Sequence, residues 1–238
     1  MEAAARAGFR AVEMHFPYDV DAAAVAALAR DTGLTLLGIN THPGQLERGD
    51  RGLGAVPGRE AEFAAAVEQS IQYCVACGAR AIHAMAGNVS PDDRPRARQV
   101  FKANLESAAR KAAAANLTVL LEPLNPRDAP GYLLRTQEQG AAIVAAIGRD
   151  RIGLQFDLYH CQTAQGDLTT RLAALMPVIG HMQLADVPGR HEPGTGEIGW
   201  EFVFRRIDEL GYAGWIGCEY APLDDTVEGL AWRRRYGV

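Results

Sequence analysis

Lysine is the scarcest charged residue in the chain. Of its 24 Lys and Arg residues only Lys102 and Lys111 are lysines, and both lie in an Ala-rich stretch of helical period from 96 to 116. Schiff-base chemistry needs a lysine in a pocket, so that route is set aside. Positive charge is short overall, with 24 Lys+Arg against 29 Asp+Glu and a formal net charge of -5. Such a balance leaves no basic stripe with which to neutralise phosphates, and nucleic acid is not an expected partner. Apolar runs never approach the roughly 18–20 residues that cross a bilayer, so no membrane partner is expected. The N-terminus, Met1 to Gly8, lacks the basic-then-apolar order of a secretory signal, and a cytoplasmic protein is expected. Four cysteines in 238 residues do not make a disulfide framework.

At 48% hydrophobic and 22% charged, the composition suits one globular domain spanning 1–238. No Pro- or Ser-rich linker divides it. Short apolar or β-branched runs alternate with longer Ala-rich segments of helical period, the pattern of βα units around a parallel sheet. Strands are expected over 11–16, 35–40, 81–85, 118–122, 152–157, 178–185 and 215–219. Helices are expected near 21–32, 59–77, 96–115, 135–147, 168–175 and 200–210, with a last one near 224–234. Thr32-Gly33, Cys77-Gly78, Asn116, Gly148, Leu210-Gly211 and Ala213-Gly214 each precede a strand, where a helix-terminating glycine or asparagine belongs. The fold class is therefore α/β, a (β/α)8 TIM barrel rather than an open doubly wound sheet. Gly194-x-Gly196 supports no dinucleotide fold, being neither completed to the fingerprint nor set in a short strand-to-helix turn. Only seven strands can be counted. Glu2 to Ala7 looks like the tail of a helix with no strand before it, so a barrel lacking its first strand and most of its first helix is expected.

Functional groups in such barrels sit at the C-terminal ends of strands. Those ends carry Glu122, Asp157, Gln183 and Glu219, about one βα unit apart, so four oxygen-bearing side chains converge on one mouth. Three carboxylates together raise one another's pKa and destabilise the fold. A divalent cation relieves that penalty, and an all-oxygen set suits Mg2+ or Mn2+ better than Zn2+. His160, three residues past Asp157, can hold a substrate oxygen. Arg190, in the loop after Gln183, can pair with a carboxylate. Phe16, Asn40 and His83 end earlier strands and line the pocket. His181 shares parity with Gln183 and belongs one layer below the site. Cys218 points away from the mouth, and Cys74-x-x-Cys77 reads as two small residues on a buried helix face rather than a metal or redox motif. His42 reads as a surface residue. The Gly-rich stretch 41–58 is too long for a plain connection and reads as a lid or pocket wall.

Several stretches resemble hydroxypyruvate isomerase and its relatives, within the xylose-isomerase-like barrels. They are Gly8 to Glu13 with Phe16-Pro17-Tyr18-Asp19, Arg51-Gly52, Pro57-Gly58-Arg59-Glu60, Glu122-Pro123-Leu124-Asn125, Asp157-Leu158-Tyr159-His160, His181 to Asp186, Glu192 to Ile198 and Gly217-Cys218-Glu219-Tyr220. The resemblance implies metal ligation by Glu122, Asp157, Gln183 and Glu219, with Glu122 and Glu219 as the catalytic proton-transfer pair. His160, Arg190, Asn40, His83 and Glu192 then face the substrate. It implies interconversion of hydroxypyruvate and tartronate semialdehyde through an enediolate. Gln183, where sugar-epimerising relatives commonly have histidine, favours the hydroxypyruvate-type branch.

Within the same chemistry a four-carbon 2-oxo-tetronate is a rival substrate, alongside related sugar or sugar-acid isomerisation and epimerisation. A phosphodiesterase like the endonuclease relatives fits less well, because those sites are histidine-rich and their surfaces basic. A non-catalytic barrel is the remaining alternative. The expected partner is a small hydroxy-oxo acid, and self-association into a homo-oligomer stays open.

Overall fold

The computed structural model describes residues 1–237. Its elements run α1 (Glu2–Arg6), β1 (Ala11–Met14), α2 (Ala22–Thr32), β2 (Thr35–Asn40), α3 (Glu60–Cys77), β3 (Ala81–His83), α4 (Arg94–Ala114), β4 (Thr118–Leu121), α5 (Gln137–Ile147), β5 (Ile152–Asp157), α6 (Leu158–Ala164), α7 (Leu168–Leu175), β6 (Ile179–Leu184), α8 (Trp200–Glu209), β7 (Ile216–Cys218), α9 (Thr226–Gly229) and α10 (Trp232–Tyr236). Among the described residues no helix is long and apolar enough to cross a membrane.

Local chemistry explains the boundaries. Asp21 caps α2 by accepting from the Ala23 N–H, and Gly33 ends it in the left-handed region at φ 71°. Gly78 ends α3 in the same way, at φ 87°. Only glycine takes that conformation without a Cβ penalty, so the helix can turn sharply into the next strand. Along α4, Ala97, Phe101, Leu105, Ala108 and Ala112 recur on one face and are buried against the sheet. The alanines let the helix approach closely, while Phe101 and Leu105 fill the remaining volume. Every residue of β5 is buried, because one face meets the barrel interior and the other the helices.

The strands pair in parallel and in chain order, β1 through β7, each with the next. Seven modules were expected, and seven strands are found among the described residues. The sheet curls into a barrel whose edges are β1 and β7. Between them lies a cavity of about 440 Å³ lined by Phe9, Val12, Leu184, Phe204, Ile216 and Trp232. A polar stitch reaches inward from this seam: Glu13 on β1 bonds His181 and Gln183 on β6, at 3.0 and 3.1 Å.

Three expectations need correction. The last helix is two short ones, α9 and α10. A further helix, α6, starts directly at the end of β5, because the Asp157 side chain caps it by accepting from the Tyr159 and His160 N–H groups. Strand ends expected at 16, 85, 122, 185 and 219 stop short of those positions, and Glu122 and Glu219 each stand just past the strand that presents them. Cys74 and Cys77 are buried on α3 as expected.

The 41–58 loop folds back over β3 with a single 3-10 turn, Leu46–Arg48. Gly54 and Ala55 donate to the Met85 and Ala86 carbonyls. Gly52 sits at φ 107°, where a Cβ would lie 2.6 Å from the Met85 carbonyl oxygen and 2.7 Å from its carbon. Backbone cannot yield there as a flexible side chain can. Gly52→Ala should therefore cost about 2 kcal/mol or more, lowering the thermal midpoint by roughly 4–8 °C. An unchanged midpoint would show that the loop is not packed in this way.

Candidate active site

Glu122 follows β4, and its neighbours are polar on one side only. Its Oε2 accepts from Gln155 Nε2 at 3.0 Å, and His83 Nδ1 stands 3.6 Å from the same oxygen. The other oxygen, Oε1, is buried with no partner. Asp157 repeats the arrangement: Oδ1 caps α6, at 2.7 Å from Tyr159 N and 3.2 Å from His160 N, while Oδ2 is buried and unpartnered. A buried acceptor without a donor is costly, and here two face one spot. Burial, then the charges of Glu219 and Asp157, hold the Glu122 carboxyl well above its ordinary pKa. Burial likewise raises that of Asp157.

His160 joins this pair. One atom each of Glu122, Asp157 and His160 lies within 4.8 Å of the other two. The tautomer of His160 is set by its other side. Nδ1 faces the Asn125 backbone N–H at 3.1 Å and the Asn125 side-chain amide at 2.8 Å. A backbone N–H can only donate, so Nδ1 accepts and the ring proton sits on Nε2. Nε2 lies 4.0 Å from Glu122 Oε1 and 4.0 Å from Asp157 Oδ2. Burial lowers the pKa of His160 and keeps the ring neutral. It thus presents an N–H to the cluster rather than a lone pair.

Gln183 connects through Gln155, whose Nε2 donates to Gln183 Oε1 at 2.7 Å. Glu13 takes the Gln183 amide N–H, so the Gln183 carbonyl oxygen is turned toward the cluster side. Glu219, after β7, accepts from Arg190 at 2.6 Å and stands 3.7 Å from His15. Burial alone would raise its pKa, but the nearby His15 ring and the Arg190 charge bring it below the ordinary value. Two glutamates at one mouth are thereby pushed in opposite directions. Asn40 bonds His83 at 3.3 Å, and burial pushes the His83 ring down to about 4. Both line a cavity of about 210 Å³ inside the barrel, together with Gln155, Gln183 and His181. Glu192 stands aside: its buried carboxylate accepts from the Leu223 N–H at 3.0 Å and ties its loop to the C-terminal segment.

This donor set fits a hard divalent cation. Two orphaned carboxylate oxygens converge, an amide oxygen is turned toward them, and a third carboxylate lies beyond, balanced by an arginine. Zinc chemistry is poorly served, because the imidazole grouped with Glu122 and Asp157, that of His160, offers its N–H.

Sequence reasoning missed Glu13, Gln155, Asn125 and Asp186. Gln155 shares strand parity with Asp157, so its inward direction was readable; the other three act through contacts that no period reveals. Asp186 follows β6 and organises the next loop. Its Oδ1 accepts from the N–H groups of Val187 and Ile198, and its Oδ2 from Gly194, Gly196 and the Trp200 indole. Gly194-x-Gly196 thus wraps a carboxylate; a Cβ on Gly196 would strike Val187 O and lie 2.7 Å from Asp186 Oδ1.

A family model described as xylose isomerase-like TIM barrel matches residues 1–236. Among curated proteins, a 2-oxo-tetronate isomerase of Cupriavidus necator is 46% identical over 98% of this chain and 90% of its own length. A putative hydroxypyruvate isomerase of Homo sapiens is 45% identical, over 99% and 88% respectively. The hydroxypyruvate isomerase of Escherichia coli is 36% identical, over 99% and 92%. Among solved structures, one described as an AP endonuclease, family 2, from Brucella melitensis superposes with a TM-score of 0.95 at 40% identity, covering 99% of this chain and 91% of that one.

The Asp186 cradle makes a sharp prediction. In Asp186→Asn the amide NH2 must face at least two N–H donors in either orientation, so the loop carrying Arg190 loses its anchor. A loss of about 2–4 kcal/mol in urea unfolding is expected; a change under 0.5 kcal/mol would remove Asp186 from this role.

Proposed function

The chain belongs to the xylose isomerase-like TIM-barrel family, and from its site we propose a cation-dependent isomerase that shifts a carbonyl between adjacent carbons of a small hydroxy-oxo acid. The leading substrate reading is hydroxypyruvate, interconverted with tartronate semialdehyde. The observation that carries it is the convergence of two unpartnered carboxylate oxygens, Glu122 Oε1 and Asp157 Oδ2, beside the Nε2–H of His160. Glu122, Asp157, Gln183 and Glu219 hold the cation in this reading, with Mg2+ or Mn2+ suited to four oxygen donors. The cation supplies Lewis-acid polarisation and offsets the carboxylate charge.

The chain's own groups do the rest. One of the two glutamates takes a proton from the carbon bearing the hydroxyl, giving an enediolate, and the other returns a proton to the former carbonyl carbon. The hydroxyl proton passes to the oxygen of the former carbonyl, so the reaction is redox-neutral within one molecule. His160 donates its Nε2–H to a substrate oxygen, and burial keeps the ring neutral and therefore a one-proton donor. Arg190 pairs with the acid's carboxylate, while Asn40 and His83 line the inner wall.

The four-carbon reading has its own support, since the relative from Cupriavidus necator is a 2-oxo-tetronate isomerase at 46% identity. Phosphodiester cleavage finds little: the chain carries a net charge of -5, and among the described residues the buried Glu–Asp–His group contains a single histidine. Turnover of hydroxypyruvate and of a 2-oxo-tetronate, each with Mg2+ or Mn2+, tests the reading. Glu122→Gln and Glu219→Gln should each lower kcat by about 10³-fold or more with circular dichroism unchanged. Activity on the tetronate alone discards the three-carbon substrate, and full activity in both variants discards the enzyme mechanism.

A further inference from the structure

Arg190 is held and free at once. Its backbone is pinned, with N–H donating to Asp186 O at 2.9 Å and its carbonyl accepting from Ala221 N at 3.0 Å, in the left-handed region at φ 58°. Its guanidinium makes one hydrogen bond, from Nη2 to Glu219 Oε1 at 2.6 Å, and lies 3.9 Å from Asp157 Oδ2. A second resting place adjoins: the guanidinium carbon is 5.1 Å from the centre of the Tyr159 ring. That ring is fixed, because Tyr159 Oη donates to Asp128 at 2.6 Å and accepts from Arg127 at 2.9 Å. A pinned backbone, a single polar tether and an aromatic platform describe a side chain that can change partners without moving its loop.

The carboxylates that Arg190 faces are the ones assigned above to the cation. A guanidinium on Glu219 Oε1 and a divalent cation on the same carboxylate repel one another, so each weakens the other's hold. We propose that Arg190 is a substrate-binding residue that exchanges partners: it is the counter-ion of Glu219 and Asp157 before the cation enters, and once displaced it receives the carboxylate of the acid substrate. This rests on the functional reading above and adds an order of binding to it. The acid finds a free guanidinium only after the cation has released it, so acid capture depends on prior cation binding. By linkage, whatever removes the guanidinium also favours the cation.

Mn2+ binding measured calorimetrically on the whole protein, with no acid present, tests the exchange. Arg190→Met should bind Mn2+ about tenfold more tightly than the wild type, whereas Arg190→Lys, which keeps the charge, should stay within about threefold of it. A merely structural arginine would give weaker binding in both variants. Without Mn2+ the thermal midpoint of Arg190→Met should lie below that of the wild type, and saturating Mn2+ should close the gap. In turnover, Arg190→Met should raise KM for the acid about tenfold or more, with kcat within about threefold. Equal or weaker Mn2+ binding in Arg190→Met, with normal binding in the wild type, overturns the exchange and leaves the isomerase reading standing. Tighter Mn2+ binding with unchanged KM overturns the acid-capture half. A wild-type protein that binds no Mn2+ overturns the functional reading itself.

Discussion

Negative charge crowded into the mouth of a curled seven-stranded sheet is the constraint around which the rest is arranged. Glu122 and Asp157 are buried beside one another, and Glu219 approaches from β7. Uncompensated, such a group opposes folding through both desolvation and mutual repulsion. The protein meets the problem partly from within. Gln155 donates to Glu122, the α6 N-terminus to Asp157, and Arg190 to Glu219. What remains is two oxygens with no donor, which a cation between them would satisfy.

Fixing those oxygens takes more residues than the ones that touch them. Asn125 sets the His160 tautomer, Glu13 turns the Gln183 amide, and Asp186 folds the loop that delivers Arg190. Each of these acts through a donor whose direction cannot be reversed, a backbone N–H or an amide held by a carboxylate. The cluster is therefore oriented before any ligand arrives, which is what carbonyl migration between adjacent carbons needs.

The barrel was readable from sequence because β5 and its neighbours are short, mostly apolar runs, separated by helical periods and punctuated by glycines such as Gly33 and Gly78. Strand ends then named Glu122, Asp157, Gln183 and Glu219 without any contact information. Parity placed His181 beneath the site, and it is found there bonded to Glu13. Glu192 was misplaced because a carboxylate in a loop carries no parity; its partner, Leu223, lies on a distant segment. For the same reason Gly194-x-Gly196 revealed only what it was not. Its purpose lies in the Asp186 carboxylate it wraps, a long-range arrangement that residue spacing does not encode.

In the proposed reading Glu122 and Asp157 ligate a cation, and Glu122 must be deprotonated to do so. Burial and neighbouring charge hold Glu122 well above its ordinary pKa, and a carboxyl gives up any proton it holds in order to ligate a cation, so proton release should accompany binding. Titrating Mn2+ calorimetrically near neutral pH, in buffers of different ionisation enthalpy, measures that release directly. Proton release should accompany Mn2+ binding in the wild-type protein and disappear in Glu122→Gln. Binding without proton release in the wild-type protein would contradict that reading.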